Sequence, residues 1–174
     1  MRAIAVGDAQ AFARLIDREA PRLLRFARGI LGSPEEAEDL VQDTLLRLWE
    51  NAAAWKPEAR IGTWLHRVCY NRSIDRLRRR RSFVGDSALE EMPDASEPAD
   101  RNLIRAETEQ SLHAAIERLP HRQRTAVLLF HFQELPQREA AAIMEVSETA
   151  FESLLARARR QMRTWLADER GEDE

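Results

Sequence analysis

At 174 residues the chain has room for one ordinary domain or two small ones, each with a modest core, which argues against a large catalytic scaffold. Its 44% hydrophobic and 33% charged residues exclude a disordered chain, while six glycines and a single tyrosine favour helix. One cysteine, Cys69, rules out an internal disulfide and a cysteine-based zinc cluster. Met1 opens a polar amphipathic segment without a signal-peptide run, and nowhere do about 18 apolar residues follow one another, so a cytoplasmic chain without membrane insertion is expected.

The net charge of −3 conceals a segregation: residues 60 to 81 hold eight Arg against Asp75, a local +7, whereas residues 82 to 110 hold eight acids against Arg101 and Arg105, a local −6. No stretch alternates apolar and polar residues over a strand's length, and apolar positions recur at three and four, so the chain reads as all-α.

In chain order, the best-signalled helix is SPEEAEDLVQDTLLRLWE. Ser33 is its N-cap, Pro34 occupies the first helical position, and Glu36 is placed to close a capping box. Ala37, Leu40, Val41, Thr44, Leu45 and Leu48 form one stripe, which must be buried. The opposite side carries Asp39, Gln42, Asp43 and Glu50, with Leu46 stranded among them. A lone exposed leucine is ordinary, yet an acidic face centred on a leucine has the composition of a docking surface.

The next segment, RIGTWLHRVCYNRSIDRLRRRR, presents two apolar stripes on one helix: Ile61, Trp64, Leu65, Val68 and Cys69, and nearly opposite them Tyr70, Ile74 and Leu77. Either the helix is sandwiched, or its C-terminal half meets something outside its own domain. Tryptophan, tyrosine and arginine interleaved on a helix are the residue types that stack on bases and neutralise phosphates. Eight mutually repelling cations also lower stability unless an anionic partner is available.

From Ser82 to Asp100, glycine, prolines, serines and acids replace the helical pattern, marking a linker. Two small helical domains are therefore expected, over residues 1–81 and 106–170, joined by a flexible acidic stretch over 82–105. In the second domain, a short helix ending near Met144 and a tight connection lead to Ser147 as an N-cap. The helix begun there keeps Phe151, Leu154, Leu155, Ala158, Met162 and Trp165 inside and Thr149, Glu152, Ser153, Ala156, Arg157 and Arg160 outside. This is a helix-turn-helix pattern, with small Ala141 permitting a close crossing.

Taken together, these motifs resemble the extracytoplasmic-function sigma factors of bacterial RNA polymerase, over almost the whole chain. AEDLVQDTLLRLW looks like the polymerase-binding helix, TWLHRVCYNRSIDRLRRRR is similar to the motif that melts and reads the minus-ten element, and LPHRQRTAVLLFHFQELPQREAAAIMEVSETAFESLLARARRQMR resembles the region that reads the minus-thirty-five element. The resemblance implies core polymerase, promoter DNA and an anti-sigma factor as partners, with no cofactor and no metal. It assigns Asp39, Gln42, Asp43 and Leu46 to polymerase binding. Trp64, Arg67, Asn71, Arg72, Arg76, Arg78, Arg79 and Arg80 go to the melted strand, with the loop Pro57 to Gly62 beside a flipped base. Thr149, Glu152, Ser153, Arg157 and Arg160 go to the upstream element.

Three positions depart from the family pattern. Glu145 stands at the turn where glycine is usual, and a non-glycine residue in a left-handed conformation costs about 1 kcal/mol. Glu152 and Leu154 replace a lysine and an arginine; Glu152 either reads a cytosine amino group or pairs with Arg157 or Arg159. An enzyme would have to be built from pairs such as His131 with Glu134 or His66 with Cys69. Neither has a third ligand at recognisable spacing, and no glycine-rich phosphate loop or nucleophile motif occurs. A sigma-like decoy would lack the basic and base-reading residues, and a plain helix-turn-helix repressor would leave the Arg60 to Arg81 segment unexplained.

Overall fold

In a computed structural model every regular element is helical among the described residues, which are 1–55, 60–84 and 104–171, with side chains described for 1–55, 60–80 and 111–167. Most of the acidic linker, and Pro57 to Ala59 of the loop expected beside a flipped base, lie outside these residues. The chain forms two compact units: an N-terminal one holding α1 (Arg2–Ala5), α2 (Ala9–Leu31), α3 (Pro34–Glu50) and α4 (Ile61–Val84), and a C-terminal one holding α5 (Ile104–Glu117), α6 (His121–Val127), most of α7 (Gln137–Ile143) and α8 (Glu148–Gly171). Helix α4 runs three residues past the expected boundary at 81, because Ser82 to Val84 hold no helix breaker before Gly85.

Capping sets the N-terminal helices. Asp8 accepts from the Ala11 N–H at 2.9 Å to open α2, and Gly32 closes it at a left-handed φ of 70°, which glycine adopts without a Cβ penalty. Ser33 then caps α3, its Oγ accepting from the Glu36 N–H at 3.3 Å. The other half of the expected capping box does not form, because the Glu36 carboxylate is engaged by Arg80 Nη2 at 2.8 Å. Ser33 Oγ instead donates to Glu35 Oε2 at 3.0 Å. A hydrogen bond from its own main-chain N–H, and then this hydroxyl, hold the Glu35 carboxyl below its usual range.

The core of this unit joins Leu23, Phe26, Ile30, Leu40, Leu48 and Leu65, all at most 1% exposed. The six-residue stripe expected on α3 is its buried face. Helix α4 packs on both α2 and α3, with Leu65 and Cys69 of one stripe and Tyr70 of the other buried, while Ile74 and Leu77 of the second stripe are half-buried. Gly62 is the second residue of α4, in the helix's first turn and not in a loop. A Cβ there would sit 3.3 Å from the buried carboxylate of Glu19, so a larger residue would require that carboxylate to give by a few tenths of an ångström.

In the C-terminal unit α5, α6 and α8 enclose Ile116, Leu119, Leu129, Phe151 and Ala158. A π-helical turn, Leu128–Phe132, extends α6, and Gln133 and Glu134 end it; Glu134 has a left-handed φ of 53°. Such a turn inserts one residue into the helical ladder and re-aims the chain beyond it.

Candidate nucleic-acid interface

The outer face of α3 is as the periodicity requires. Asp39 and Gln42 are exposed, Asp43 is half-exposed, and Leu46 is 55% exposed, one of the few large apolar side chains so open.

Helix α4 divides its polar side chains between two faces. Arg67, Asn71 and Arg78, spaced by four and seven, are exposed on one side. Trp64 lies near them, half-buried and edge-on to Trp55 with ring centroids 5.4 Å apart, so its ring anchors the start of the helix. Arg72, Arg76 and Arg80, each one turn further on, face α3. Arg72 Nη2 donates to Asp43 Oδ2 at 2.7 Å, and Arg76 Nη2 reaches the same oxygen at 3.4 Å while its Nη1 donates to the Glu36 carbonyl at 2.8 Å. Arg80 joins Glu36 to the Leu31 carbonyl at the end of α2. Arg79 is exposed beside a cleft of about 270 Å³ lined by Asp43, Arg47, Arg72, Asp75, Arg76 and Arg79.

The melted-strand set expected from the sequence therefore lies on two sides of α4, one facing outward and one laced to α3. Arg47 and Asp75, absent from the expected site, belong to the cleft. Arginine spacing alone announces neither fact, because the i, i+4 pattern of Arg72, Arg76 and Arg80 suits solvent as well as a neighbouring carboxylate. Cys69 at the centre of α4 is fully buried, and burial pushes its thiol up to about 12, which keeps it neutral and unreactive.

The helix-turn-helix is formed by α7 and α8. Glu145 takes the left-handed turn conformation expected of it, φ 55°, and the Val146 N–H donates to the Ala141 carbonyl at 3.1 Å to close the turn. Ser147 Oγ accepts from the Ala150 N–H at 3.1 Å. Phe151, Leu154, Leu155 and Ala158 are buried, whereas Thr149, Glu152, Ser153, Arg157 and Arg160 are exposed on the outer face. The pairing weighed for Glu152 is not formed. Its Oε1 accepts from Gln137 Nε2 at 2.7 Å, Arg157 Nε donates to the Ser153 carbonyl at 3.3 Å, and Arg159 Nη2 approaches His131 Nε2 at 3.3 Å. Elsewhere in this unit an apolar groove of about 640 Å³ is lined by Leu112, Ile116, Val127, Phe132, Met162 and Leu166, with His131 and Arg159 at its margin.

Residues 15–83 match the model of sigma-70 region 2, and residues 109–162 match that of sigma-70 region 4. The ECF RNA polymerase sigma factor SigM of Mycobacterium tuberculosis is 34% identical over 156 residues, covering 90% of this chain and 77% of that protein. The chain belongs to the extracytoplasmic-function sigma factors. It is thus a promoter-recognition subunit of RNA polymerase; α3 and α7 lie within the family's two matched regions, and α4 and α8 begin within them. This sigma factor is also similar to SigW of Bacillus subtilis, 26% identical with 93% and 92% of the two chains covered. Among solved structures it resembles the sigma factor RpoE of Bartonella quintana, determined in complex with the anti-sigma factor NepR, at TM-score 0.73 and 26% identity over 91% of this chain and 98% of that one. CnrH, solved with the cytosolic domain of CnrY, shares the fold at TM-score 0.71 and 24% identity, with 96% and 94% covered. Among the described residues of this sigma factor no group of three potential ligands could hold a metal ion, and no helix is long and apolar enough to cross a membrane.

Proposed function

We propose that the N-terminal unit docks on core polymerase through Asp39, Gln42, Asp43 and Leu46 of α3 and captures the displaced strand of the minus-ten element on α4. The observation that carries this reading is the outward face of α4, where Arg67, Asn71 and Arg78 lie exposed beside an anchored Trp64. An asparagine amide recognises a base edge and guanidinium groups hold the flanking phosphates, so one face supplies both sequence preference and affinity. Arg79 adds a further exposed cation, and Arg72, Arg76 and Arg80 supply positive charge from the α3 side. Opening a duplex costs roughly 1.4 kcal/mol per base-pair step in stacking. Capture of a few displaced bases at about 1 to 3 kcal/mol each is of the size needed to hold a short bubble open.

The C-terminal unit reads the minus-thirty-five element through Thr149, Glu152, Ser153, Arg157 and Arg160 on α8, the helix placed to enter a major groove. The protein acts in the cytoplasm by binding, without catalysis of its own and without a cofactor. An anti-sigma factor is its regulatory partner. That partner is supported by the complexes in which similar sigma factors were solved, and by the open apolar side chains Leu112 and Phe132 beside the groove of the C-terminal unit. In vitro transcription with core polymerase on a promoter library tests the whole reading: a defined pair of upstream and start-proximal elements is expected among the transcribed templates, and no transcript above core polymerase alone would refute it.

A further inference from the structure

Asp43 stands where two assignments meet. It lies on the acidic face of α3 read as the docking surface, and its Oδ2 is held by Arg72 and Arg76, two of the cations read as phosphate ligands. The carboxylate is the accessible member of the group: its side chain is 45% exposed, against 26% for each guanidinium. It therefore faces solvent on one side and the α3–α4 cleft on the other. Arg76 is also fixed by the Glu36 carbonyl, so its position does not depend on Asp43. Arg72 is held end-on by one oxygen, and its Nε is buried without an acceptor. An arginine prefers a two-oxygen partner, and a phosphate offers the second oxygen that Asp43 does not place there. Around the cleft, Arg47, Arg72, Arg76 and Arg79 face Asp43 and Asp75, four positive charges against two negative ones.

We propose that Asp43 is an electrostatic latch. In the free chain its carboxylate occupies the phosphate position of Arg72 and Arg76. A cationic surface of core polymerase that engages Asp43 from the solvent side of α3 releases both guanidinium groups to one backbone phosphate of the captured strand, seated in the α3–α4 cleft. The inference rests on the proposed docking and strand capture and adds a coupling between them. One carboxylate cannot hold the arginines and the polymerase at full strength together, so strand affinity rises when docking occurs.

The test uses the full chain without polymerase and a labelled single-stranded oligothymidylate, with affinity measured by fluorescence anisotropy across a salt series. Asp43→Asn and Asp43→Ala remove the latch. Asp39→Asn removes the same charge from an exposed position of the same face that has no arginine partner among the described residues. The latch variants are expected to bind severalfold more tightly than Asp39→Asn, with a log–log salt slope steeper by about 0.7, the increment for one phosphate on a single strand. Adding Arg72→Gln and Arg76→Gln to Asp43→Asn is expected to abolish the gain. Equal affinities and slopes for the Asp43 and Asp39 variants would overturn the latch, since the effect would then be one of net charge. Core-polymerase affinity of the same variants reports on docking separately: both are expected to be weakened, and unchanged affinity in both would refute the docking surface and the polymerase half of the latch, whatever the oligonucleotide shows.

Discussion

Gln137, the first residue of α7, donates from Nε2 to Oε1 of Glu152 on α8 at 2.7 Å, joining the two helices of the helix-turn-helix across their exposed side. The bond orients the one acidic side chain among the expected upstream-reading residues and leaves its second oxygen available to a base.

A carboxylate fixed in this way accepts from the N4 amino group of cytosine, a contact that discriminates by about 1 to 3 kcal/mol. Glu152→Gln and Glu152→Lys are therefore expected to change the preferred base at one upstream position, and Glu152→Lys also to raise non-specific affinity. Gln137→Ala is expected to weaken the same preference without moving it. Binding-site selection with the three variants is the check, and a consensus unaltered in all of them would assign Glu152 to the Gln137 contact alone.

Leu46 supplies the clearest test of the docking face, because its 55% exposure means that substitution leaves the core of the N-terminal unit untouched. Leu46→Glu is expected to cost at least about 2 kcal/mol of core-polymerase affinity, roughly thirtyfold, with unchanged helical circular dichroism. A pull-down with wild-type affinity would show that the face is merely solvated.

His131 gives the C-terminal unit a predictable pH response. Burial, and then the Arg159 guanidinium, lower its pKa below the ordinary histidine value, and as a neutral ring it accepts from Arg159. Between the lowered folded value and the ordinary unfolded one the unfolded chain binds more protons, so this group's contribution to stability falls as pH drops through that window and levels off below it. Urea midpoints at successive pH values, compared between wild type and His131→Gln, are expected to converge as the medium becomes acidic. A constant difference would mean that His131 titrates alike in the folded and unfolded chain, without the lowering that burial implies.

Much of this architecture was legible in the sequence because it rests on periodicity and capping. The buried stripe of α3 from Ala37 to Leu48, the Ser33 and Ser147 caps, and the buried and exposed faces of α8 each follow from local rules that tertiary contacts do not alter. Glu145 was legible for a different reason, since a turn that favours glycine imposes its φ on whatever residue occupies it. The features that stayed hidden depend on which helix lies beside which. The sequence offers Glu36 to a capping box, but Arg80, 44 residues later, competes for the same carboxylate and wins with a charge-assisted bond. Likewise, nothing local indicates that Arg72 and Arg76 turn toward Asp43 while Arg67, Asn71 and Arg78 turn outward, because that division is set by the packing of α4 on α2 and α3.

If α4 holds the displaced strand once the duplex has opened, Asn71→Ala must impair the opening step itself. Open-complex formation by the holoenzyme should be measured on a duplex promoter and on the same promoter with a pre-melted minus-ten segment. Asn71→Ala is expected to lower opening on the duplex by about tenfold, corresponding to about 1.4 kcal/mol of lost strand capture, with most of the deficit recovered on the pre-melted template and the preference for one base relaxed. A deficit of the same size on both templates, with base preference unchanged, would contradict a role for this face of α4 in trapping the melted strand.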